Sequence, residues 1–389
     1  MGSPENIATR PDRIFAPSRI EFLSDLSSLI LGDATLRHLP DVVTFGFWCR
    51  KANILRLAER WNHRPMQMGL GLIFHISPSN VPVNFAFSLA FSLLAGNSNL
   101  LRLPTRNTPQ TEALIAAIDS LLKTPKHESL ASVIHLIRYE HDDAITALLL
   151  ENSAGRIIWG GDSTIDYMRS FKTHPRSREV AFADRYSLSV ISAESVALAS
   201  PDTITKLCSA FYNDVYLMDQ NACSSPQLLA WVGSHSQIEA AKAKFWQEFY
   251  IFVEGKYEIQ PINAVNKYVD LCSEIILHEN IQRVGFYKNL VYRVELSHLT
   301  VNQHEQRGRF GTVHEINVST IGDLAPVINR RYQTLAYFGF EAGHFGDFIE
   351  KHGLSGIDRV VPIGRALDMG LYWDGFDIIS CLSRLVDVQ

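Results

Sequence analysis

Residues 71–104, GLIFHISPSNVPVNFAFSLAFSLLAGNSNLLRLP, carry the pattern that determines the expected fold class of this chain. The short apolar run at 70–76 predicts a strand that is buried on both faces. A helix is expected over 82–95, because a proline opens this stretch and a glycine follows it. A second strand is expected over 99–103, so the whole stretch has the pattern of a βαβ unit with parallel strands.

The alternation of strands and helices continues through most of the chain. Residues 1–60 are expected to form a helical lead-in, and residues 255–320 to form a mixture of short strands and loops. Together these patterns predict an α/β fold in which helices cover both faces of a mainly parallel sheet. The other predicted strands cover 132–137, 156–159, 186–191, 228–232 and 359–363, and the other predicted helices cover 108–122, 141–149, 162–171, 203–212 and 236–250.

The composition excludes several classes of protein. The 389 residues include 36 Lys and Arg against 41 Asp and Glu, a formal net charge of −5, so the chain lacks the charge expected for binding nucleic acid or an anionic membrane. The most apolar stretch, residues 85–96, is shorter than the roughly 20 residues that a bilayer span needs. The five cysteines form no CxxC pair and the 14 histidines show no ligand spacing, so we predict no disulfide framework, no bound metal and a reducing, cytoplasmic location.

Several polar residues lie inside or just after predicted strands. Asn80 follows the first of them, at the edge of the sheet where parallel α/β folds bind ligands. Its amide could donate a hydrogen bond to an oxyanion, or it could only cap the following helix. His75 lies inside the same apolar strand, and we interpret it as a core histidine with satisfied hydrogen bonds. Asp374 and Asp377, in the segment WDGFD, are interpreted as turn and capping residues.

Two further segments follow predicted strands and carry groups suited to phosphate. Arg102 and Arg106 could grip a phosphate with their guanidinium groups, or could be solvated surface arginines. In Gly160-Gly161-Asp162, free backbone N–H groups at the start of a helix could hold a pyrophosphate. The sequence has no GxGxxG motif, and a purely structural turn is the simpler interpretation of the two glycines.

The segment DQNACSSPQ, residues 219–227, places Cys223 in a polar loop of small residues just before a strand. This setting favours an exposed thiolate, whereas a cysteine within an apolar run is usually a buried small hydrophobic residue. Cys223 is therefore the candidate nucleophile. The cysteines interpreted as structural are Cys49, Cys208, Cys272 and Cys381.

Taken in chain order, these segments resemble the aldehyde dehydrogenase superfamily, and more closely its LuxC-type acyl-CoA reductases. The matching pieces, which begin near residue 69, are HISPSNVP, LAGNSNLLRLP, IIWGGD, DQNACSSPQ, DRVVPIGRALD and WDGFDIISCLSR. The resemblance implies an aldehyde dehydrogenase-like fold, with a Rossmann-type cofactor domain and an α/β catalytic domain. The expected organisation is a helical N-terminal segment at 1–60, a dinucleotide-binding domain at 61–218, and a catalytic domain with a C-terminal segment at 219–389.

The resemblance also implies roles for individual residues. Cys223 would be the nucleophile that takes the acyl group as a thioester, and Asn80 would share the oxyanion hole with the backbone N–H of Cys223. Arg102 would occupy the place of the family lysine that contacts the adenosine ribose, and Gly161 and Asp162 would lie near the cofactor pyrophosphate. The full set of expected cofactor-binding residues is Ser79, Arg102, Thr105, Arg106, Gly160, Gly161 and Asp162.

Three departures from the superfamily pattern bear on the reaction. Phe182 matches the position of the general-base glutamate of hydrolytic aldehyde dehydrogenases, so activated water would be a poor second nucleophile. Gly308 matches the glutamate that usually holds the nicotinamide ribose, so that contact must differ. The segment RLPTR, residues 102–106, carries arginine where an acidic residue is usual, which favours the 2′-phosphate of NADPH over NADH.

The implied function is the NADPH-dependent reduction of an acyl thioester to the aldehyde through an acyl-Cys223 intermediate. The acyl donor could be coenzyme A, a carrier protein or an enzyme. The alternatives are an acyl-phosphate reductase or an aldehyde dehydrogenase on the same fold, or a non-catalytic subunit of a carboxylic acid reductase complex. The expected partners are the thioester substrate and an acyl-activating synthetase, with no nucleic acid and no membrane span, and homo-oligomers are expected by analogy with this fold.

Overall fold

The computed structural model describes residues 7, 9–61, 64–78 and 81–389. The chain forms two compact units. The first unit comprises Met1–Asp184 together with Met369–Gln389, and the second comprises Arg185–Asp368. Among the described helices, none has both the length and the apolar character needed to cross a membrane.

Helices and strands alternate along most of the described chain. The α-helices are α1 (Pro17–Gly32), α2 (Pro40–Trp48), α3 (Lys51–Ala58), α4 (Asn84–Leu94), α5 (Pro109–Leu122), α6 (Asp143–Glu151), α7 (Asp162–Arg169), α8 (Ala193–Leu198), α9 (Pro201–Tyr216), α10 (His235–Glu254), α11 (Pro261–Leu277), α12 (Gly343–His352) and α13 (Ile378–Cys381). The strands are β1 (Gln67–Gly69), β2 (Leu72–Ile76), β3 (Ser98–Arg102), β4 (Ile134–Ile137), β5 (Gly155–Trp159), β6 (Arg178–Phe182), β7 (Tyr186–Ser192), β8 (Pro226–Val232), β9 (Ile281–Tyr287), β10 (Val291–Leu296), β11 (Thr312–Val318), β12 (Tyr332–Phe338), β13 (Arg359–Pro362), β14 (Tyr372–Trp373), β15 (Phe376–Asp377) and β16 (Ser383–Leu385).

The first unit is built on a five-stranded parallel sheet in the order β4-β3-β2-β5-β6. Every residue of β2 is buried, as a strand with neighbours on both edges and cover on both faces requires. The following helix, α4, is buried from Phe85 to Leu94. The βαβ unit predicted from residues 71–104 is therefore confirmed, and with it the α/β fold class.

The second unit is built on a seven-stranded sheet in the order β13-β12-β7-β8-β11-β10-β9. All neighbouring strands are parallel except the antiparallel pair β9 and β10. Leu228 and Ala230 of β8 pack into one apolar cluster with residues of α12, and Leu229 and Trp231 pack into a second cluster with residues of α9 and α10. Each of the large apolar side chains buried there stabilises the fold by about 1.5–3 kcal/mol. Apolar clusters thus cover this sheet on both faces.

Four of the observed helices, α8, α11, α12 and α13, were not predicted. Residues 261–277 form α11, where the sequence indicated short strands and loops. The helix buries little more than Leu271 and Lys267, while many of its apolar side chains, such as Val265 and Ile276, are exposed. Val265, Val269 and Ile276 recur at helical spacing, so the sequence does carry the pattern of an amphipathic helix, although this face is exposed.

The compact units divide the chain at other positions than the predicted domains do. The predicted boundary at 218/219 lies inside the second unit, because β7 and β8 on its two sides pair in one sheet. Residues 369–389, expected in the catalytic domain, belong to the first unit because β16 pairs with β1. The described part of 1–60 is helical, as expected, but it packs against α4 and α5 and is part of the first unit.

The prediction of a core histidine is confirmed. His75 is fully buried within β2, its Nδ1 lies 2.8 Å from Ser88 Oγ, and its Nε2 lies 3.1 Å from Asn99 Oδ1. Burial lowers the pKa of His75 to about 3, although the bond to Asn99 opposes this shift. The imidazole is therefore a neutral part of the core. Asp374 and Asp377 also have the predicted roles, since Asp374 has a φ of 53° in the β14–β15 turn and Asp377 caps α13.

The buried imidazole makes folding stability depend on pH. An unfolded chain binds a proton at His75 below about pH 6.5, but the folded chain does not until about pH 3. Stability is therefore lost as the pH falls from 6.5, by about 2 kcal/mol at pH 5. Urea unfolding at pH 7 and pH 5 should show this loss in the wild-type chain and a smaller loss in His75→Gln. The same loss of stability in both chains would show that His75 does not cause this pH dependence.

Candidate active site

Cys223 lies in the turn between α9 and β8, and its side chain is exposed. Cys49 and Cys208 are buried, and burial raises the pKa of the Cys208 thiol to about 12. Cys272 and Cys381 are half-buried, and burial raises the pKa of the Cys381 thiol. Among the five cysteines, Cys223 is the one whose side chain is exposed.

The two residues at the start of this turn have an unusual backbone conformation. Asp219 and Gln220 have φ values of 49° and 63°, in the left-handed region that non-glycine residues rarely adopt. Such a residue costs roughly 1–3 kcal/mol and persists only where its surroundings hold it. The N–H of Phe310 donates to the Asp219 carbonyl at 3.1 Å, and the Tyr257 hydroxyl donates to the Asp219 carboxylate at 2.6 Å. Residues far along the chain therefore hold the turn in place.

The side chain of Gln220 binds the backbone of two separate stretches of the chain. It is 1% exposed, and its Nε2 donates to the carbonyls of Pro226 and Thr312, each at 2.9 Å. Its Oε1 accepts from the N–H of Gly311 at 3.2 Å, and its own carbonyl accepts from Gln227 Nε2 at 3.1 Å. These bonds join the turn to β8 and to the segment before β11.

The main chain of Cys223 is also attached to the sheet. Ser187 Oγ, on β7, donates to the Cys223 carbonyl at 2.7 Å. The same hydroxyl accepts from the N–H of Thr334, on β12, at 3.2 Å. The backbone of Cys223 is thus positioned by two strands while its side chain faces outward, which is the arrangement that a positioned nucleophile requires.

Gly308 occupies a position that admits no side chain. A Cβ added there would lie 2.2 Å from the carbonyl oxygen of Thr312. The Gly308 N–H donates to Gln227 Oε1 at 2.8 Å, so the close approach is part of the hydrogen bonding around the cysteine turn. A glutamate at this position would require the backbone to move, in agreement with the expected loss of that cofactor contact.

A hydrogen-bonded pair near this turn, the buried His314 and the half-buried Glu274, was not predicted from the sequence. His314 Nε2 lies 2.9 Å from Glu274 Oε2, and the other carboxylate oxygen accepts from the N–H of Arg307 at 3.0 Å. His314 Nδ1 lies 3.3 Å from the carbonyl oxygen of Gln227, which can only accept, so Nδ1 is the donor. Glu274 belongs to α11, which was not predicted, and nothing in the local sequence relates it to His314.

Arg102 and its neighbours lie at the carboxyl edge of the five-stranded sheet. Arg102 is the last residue of β3, and its guanidinium lies 4.4 Å from the centre of the Tyr139 ring. Thr105 and Arg106 follow it and are exposed. The guanidinium of Arg102 is stacked and half-buried, so it is oriented as binding of a phosphate requires, whereas Arg106 is exposed.

The carboxyl end of β2 lies beside Arg102. The N–H of Ser77 donates to the Arg102 carbonyl at 3.3 Å. The Ser77 hydroxyl is buried and has no hydrogen-bond partner among the described residues. Two predicted site residues, Ser79 and Asn80, lie outside the residues that the structure describes.

The Gly160-Gly161-Asp162 segment reaches the same edge, because β5 pairs in parallel with β2. Gly161 is the N-cap of α7, and a Cβ added to it would meet no atom within 4 Å. Asp162 lies in the first turn of α7, where its carboxylate complements the helix dipole. The helix start is open to a ligand, but this carboxylate would oppose an anion there. Among the described residues, no three His, Cys, Asp or Glu side chains are grouped to hold a metal.

Comparison with solved structures establishes the class of fold, which is that of the aldehyde dehydrogenases. Lactaldehyde dehydrogenase from Escherichia coli is 12% identical with a TM-score of 0.64, and the match covers 95% of this chain and 87% of that one. Aldehyde dehydrogenase 21 from Physcomitrella patens is 14% identical with a TM-score of 0.64, and the match covers 95% and 85%. The predicted superfamily resemblance is therefore confirmed at the level of the fold.

Comparison of the sequence with known families shows which family the chain belongs to. The profile of the family described as acyl-CoA reductase (LuxC) matches residues 54–387, and the chain belongs to that family. Long-chain acyl-protein thioester reductases from Aliivibrio fischeri and Vibrio harveyi are 22% identical over 301 residues and 24% identical over 298 residues. These alignments cover 76% of this chain and 58% of each relative, so the chain spans less than two thirds of their length.

Removing the Gln220 amide should destabilise the fold and loosen the cysteine turn. Gln220→Leu keeps the approximate volume but leaves the carbonyls of Pro226 and Thr312 and the N–H of Gly311 without their partner. We expect a loss of at least about 2 kcal/mol in the free energy of unfolding, measured with urea. The control is Gln247→Leu, the same substitution at an exposed glutamine of α10, which should change it by less than about 0.5 kcal/mol. Equal effects of the two substitutions would contradict the role of Gln220.

Proposed function

We propose that this protein reduces an acyl thioester to the aldehyde through a covalent acyl group on Cys223, with NADPH as the reductant. The observation that carries this proposal is an exposed cysteine in a turn whose backbone is held by Gln220 and Ser187. The chain belongs to a family described as acyl-CoA reductase, and the relatives named above are acyl-protein thioester reductases. Both descriptions concern the carbonyl of a thioester, which is the electrophile that a cysteine thiolate attacks most readily.

Acyl transfer is the step in which Cys223 takes part directly. Its thiolate attacks the carbonyl carbon of the acyl donor, a new carbon–sulfur bond forms, and the bond to the donor sulfur breaks. The donor leaves as a thiolate, so this exchange involves no net oxidation or reduction. Release of the aldehyde later returns the Cys223 thiolate.

The carbonyl oxygen of the acyl group acquires negative charge during the reaction. We assign its stabilisation to the Asn80 amide and the backbone N–H of Cys223, as the family resemblance implies. Removing one such donor typically costs about 2.7–4 kcal/mol of transition-state stabilisation. The anchoring of the Cys223 carbonyl by Ser187 supports this assignment, because it limits movement of the adjacent peptide group.

The carboxyl edge of the five-stranded sheet fits a dinucleotide. Such edges are the usual ligand-binding regions of parallel sheets, and this one offers the oriented Arg102 and the exposed Arg106. It also offers the Ser77 hydroxyl, which has no partner among the described residues, and open space beside Gly161. We propose that Arg102 and Arg106, with Ser79 and Thr105, hold the adenosine end, and that Gly160, Gly161 and Asp162 lie near the pyrophosphate. When bound, NADPH supplies the hydride that brings the acyl group to the aldehyde level.

The side chain at position 182 supports a thiol reaction over hydrolysis. Phe182 is buried and stacks on Trp159, with ring centres 3.7 Å apart, and it packs edge-on against Phe376. An aromatic residue inside an apolar contact cannot activate water as a carboxylate would. An acyl group on Cys223 would therefore persist long enough to be reduced.

The identity of the acyl donor and the cellular location of the protein are also proposed. We propose a thioester carried by coenzyme A or by a protein, supplied by an acyl-activating synthetase, and a cytoplasmic setting in which Cys223 stays reduced. A homo-oligomer is proposed by analogy with the fold.

Replacing the nucleophile should abolish the reaction without unfolding the protein. We expect Cys223→Ala to form no aldehyde from an acyl-CoA panel, with an unfolding free energy within about 0.5 kcal/mol of wild type, since the side chain is exposed. Intact-protein mass spectrometry without NADPH should find an acyl adduct on wild type and on the control Cys272→Ala. Aldehyde formation by Cys223→Ala would refute the proposal, and adducts without reduction would indicate a transferase.

The preference for NADPH over NADH tests the proposed role of Arg102 and Arg106. Neutralising both in Arg102→Gln/Arg106→Gln removes the cations expected at the 2′-phosphate. We expect the KM for NADPH to rise about tenfold or more, since a charge-assisted hydrogen bond is worth about 1.5–3 kcal/mol, while the KM for NADH changes less. Arg37→Gln, at an exposed arginine elsewhere in the first unit, is the control. Equal changes for the two nucleotides would reject this role.

A further inference from the structure

The first unit contains a second cationic region, away from the proposed dinucleotide site. A cavity of about 630 Å³ lies beside the β1–β16 pair, and four of its lining residues are arginines: Arg64, Arg176, Arg178 and Arg384. The whole chain has a net charge of −5, so this local excess of positive charge runs against the overall composition. None of the four was singled out by sequence analysis, because they come from three separate parts of the chain.

Two of these arginines are held in place by the protein. Arg64 Nη1 donates to Asp377 Oδ2 at 2.8 Å, and its Nη2 donates to the Tyr372 hydroxyl at 3.0 Å. Arg178 Nη1 donates to the carbonyls of Ser380 and Ser383, at 3.2 and 2.5 Å. In Arg178 these bonds use one end of the guanidinium, so its other N–H groups remain available to a ligand.

The other charges in the cavity are not neutralised. Among the described residues, no carboxylate lies within ion-pair distance of Arg176, Arg178 or Arg384, and Asp377 pairs with Arg64 alone. The cavity lining therefore carries an excess of positive charge that no described side chain offsets. Guanidinium groups arranged in this way match the oxygens of a phosphate.

A buried acceptor in the same cavity points to a ligand that also carries a donor. Gln67, on β1, lines the cavity and is only 6% exposed. Its Oε1 is buried and has no hydrogen-bond partner among the described residues. Buried polar atoms are nearly always paired, so an unpaired one at the wall of a cavity indicates a place for a ligand donor.

This cavity is separate from the proposed dinucleotide site. Arg178 is the first residue of β6, whereas the Gly160 N–H donates to the carbonyl of Phe182, the last residue of the same strand. Five residues of strand separate the two positions by about 13 Å. The arginine cavity therefore lies at the amino edge of the five-stranded sheet, and the proposed dinucleotide site at the carboxyl edge.

We propose that this arginine cavity binds a small organic phosphate, whose phosphate oxygens accept from the arginines and whose hydroxyl or amino group donates to Gln67. Its volume lies within the roughly 300–1,000 Å³ of small-molecule sites and exceeds what inorganic phosphate alone would fill. The assignment does not depend on the proposed reaction.

Isothermal titration calorimetry on the full chain tests this assignment. No NADPH is present, because its phosphates could compete for the cavity; the probes are glucose 6-phosphate and fructose 1,6-bisphosphate, with glucose and inorganic pyrophosphate for comparison. We expect at least one organic phosphate to bind at one site per chain, more tightly than either comparison compound. No binding of any organic phosphate, or equal affinity for pyrophosphate, would overturn the proposal.

Three double variants show where the organic phosphate binds. Arg176→Gln/Arg384→Gln should weaken binding of the organic phosphate at least tenfold, while Arg10→Gln/Arg37→Gln, with the same loss of charge at exposed positions, should leave it within twofold. Arg102→Gln/Arg106→Gln should also leave it within twofold, which separates this site from the dinucleotide site even if the proposed reaction fails. Unchanged affinity in Arg176→Gln/Arg384→Gln would overturn the assignment.

Discussion

The hydrogen bonds of the buried Gln220 side chain are the constraint on which the cysteine turn depends. They hold two consecutive non-glycine residues, Asp219 and Gln220, in a left-handed conformation that the local sequence would not adopt unaided. The turn that follows then presents Cys223 outward, with its carbonyl bound by Ser187. Without these contacts, the same residues would be an ordinary polar loop with a mobile thiol.

The topology of the second unit explains why these partners meet. Strands β7, β8, β11 and β12 are parallel neighbours, so their amino ends lie along one edge of the sheet. Ser187, Thr312 and Thr334 each lie at or near the start of one of these strands. Apolar packing on both faces fixes the strand register, and the register in turn brings these backbone and hydroxyl groups around the cysteine turn.

The part of the fold and of the candidate site that could be predicted from the sequence is the part whose pattern is carried by neighbouring residues. The burial of β2 follows from its own apolar residues, and the exposure of Cys223 follows from the small polar residues around it. Helix α11 carries a local pattern as well, since Val265, Val269 and Ile276 recur at helical spacing, but the pairing of Glu274 with His314 joins residues 40 positions apart. Ser79 and Asn80 lie outside the described residues, so their expected roles stay predictions.

The sequence by itself determined most of the strand and helix alternation, the family, and the exposed setting of Cys223, because each is carried by neighbouring residues. Only the tertiary structure decided that residues 369–389 join the first unit, that Gly308 has no room for a side chain, and that four arginines share a cavity with Gln67. The first and third of these features arise from groups far apart in the chain, and the second from the close approach of Gly308 to Thr312. Their contacts depend on strand register and close packing, for which no short stretch of sequence carries the pattern.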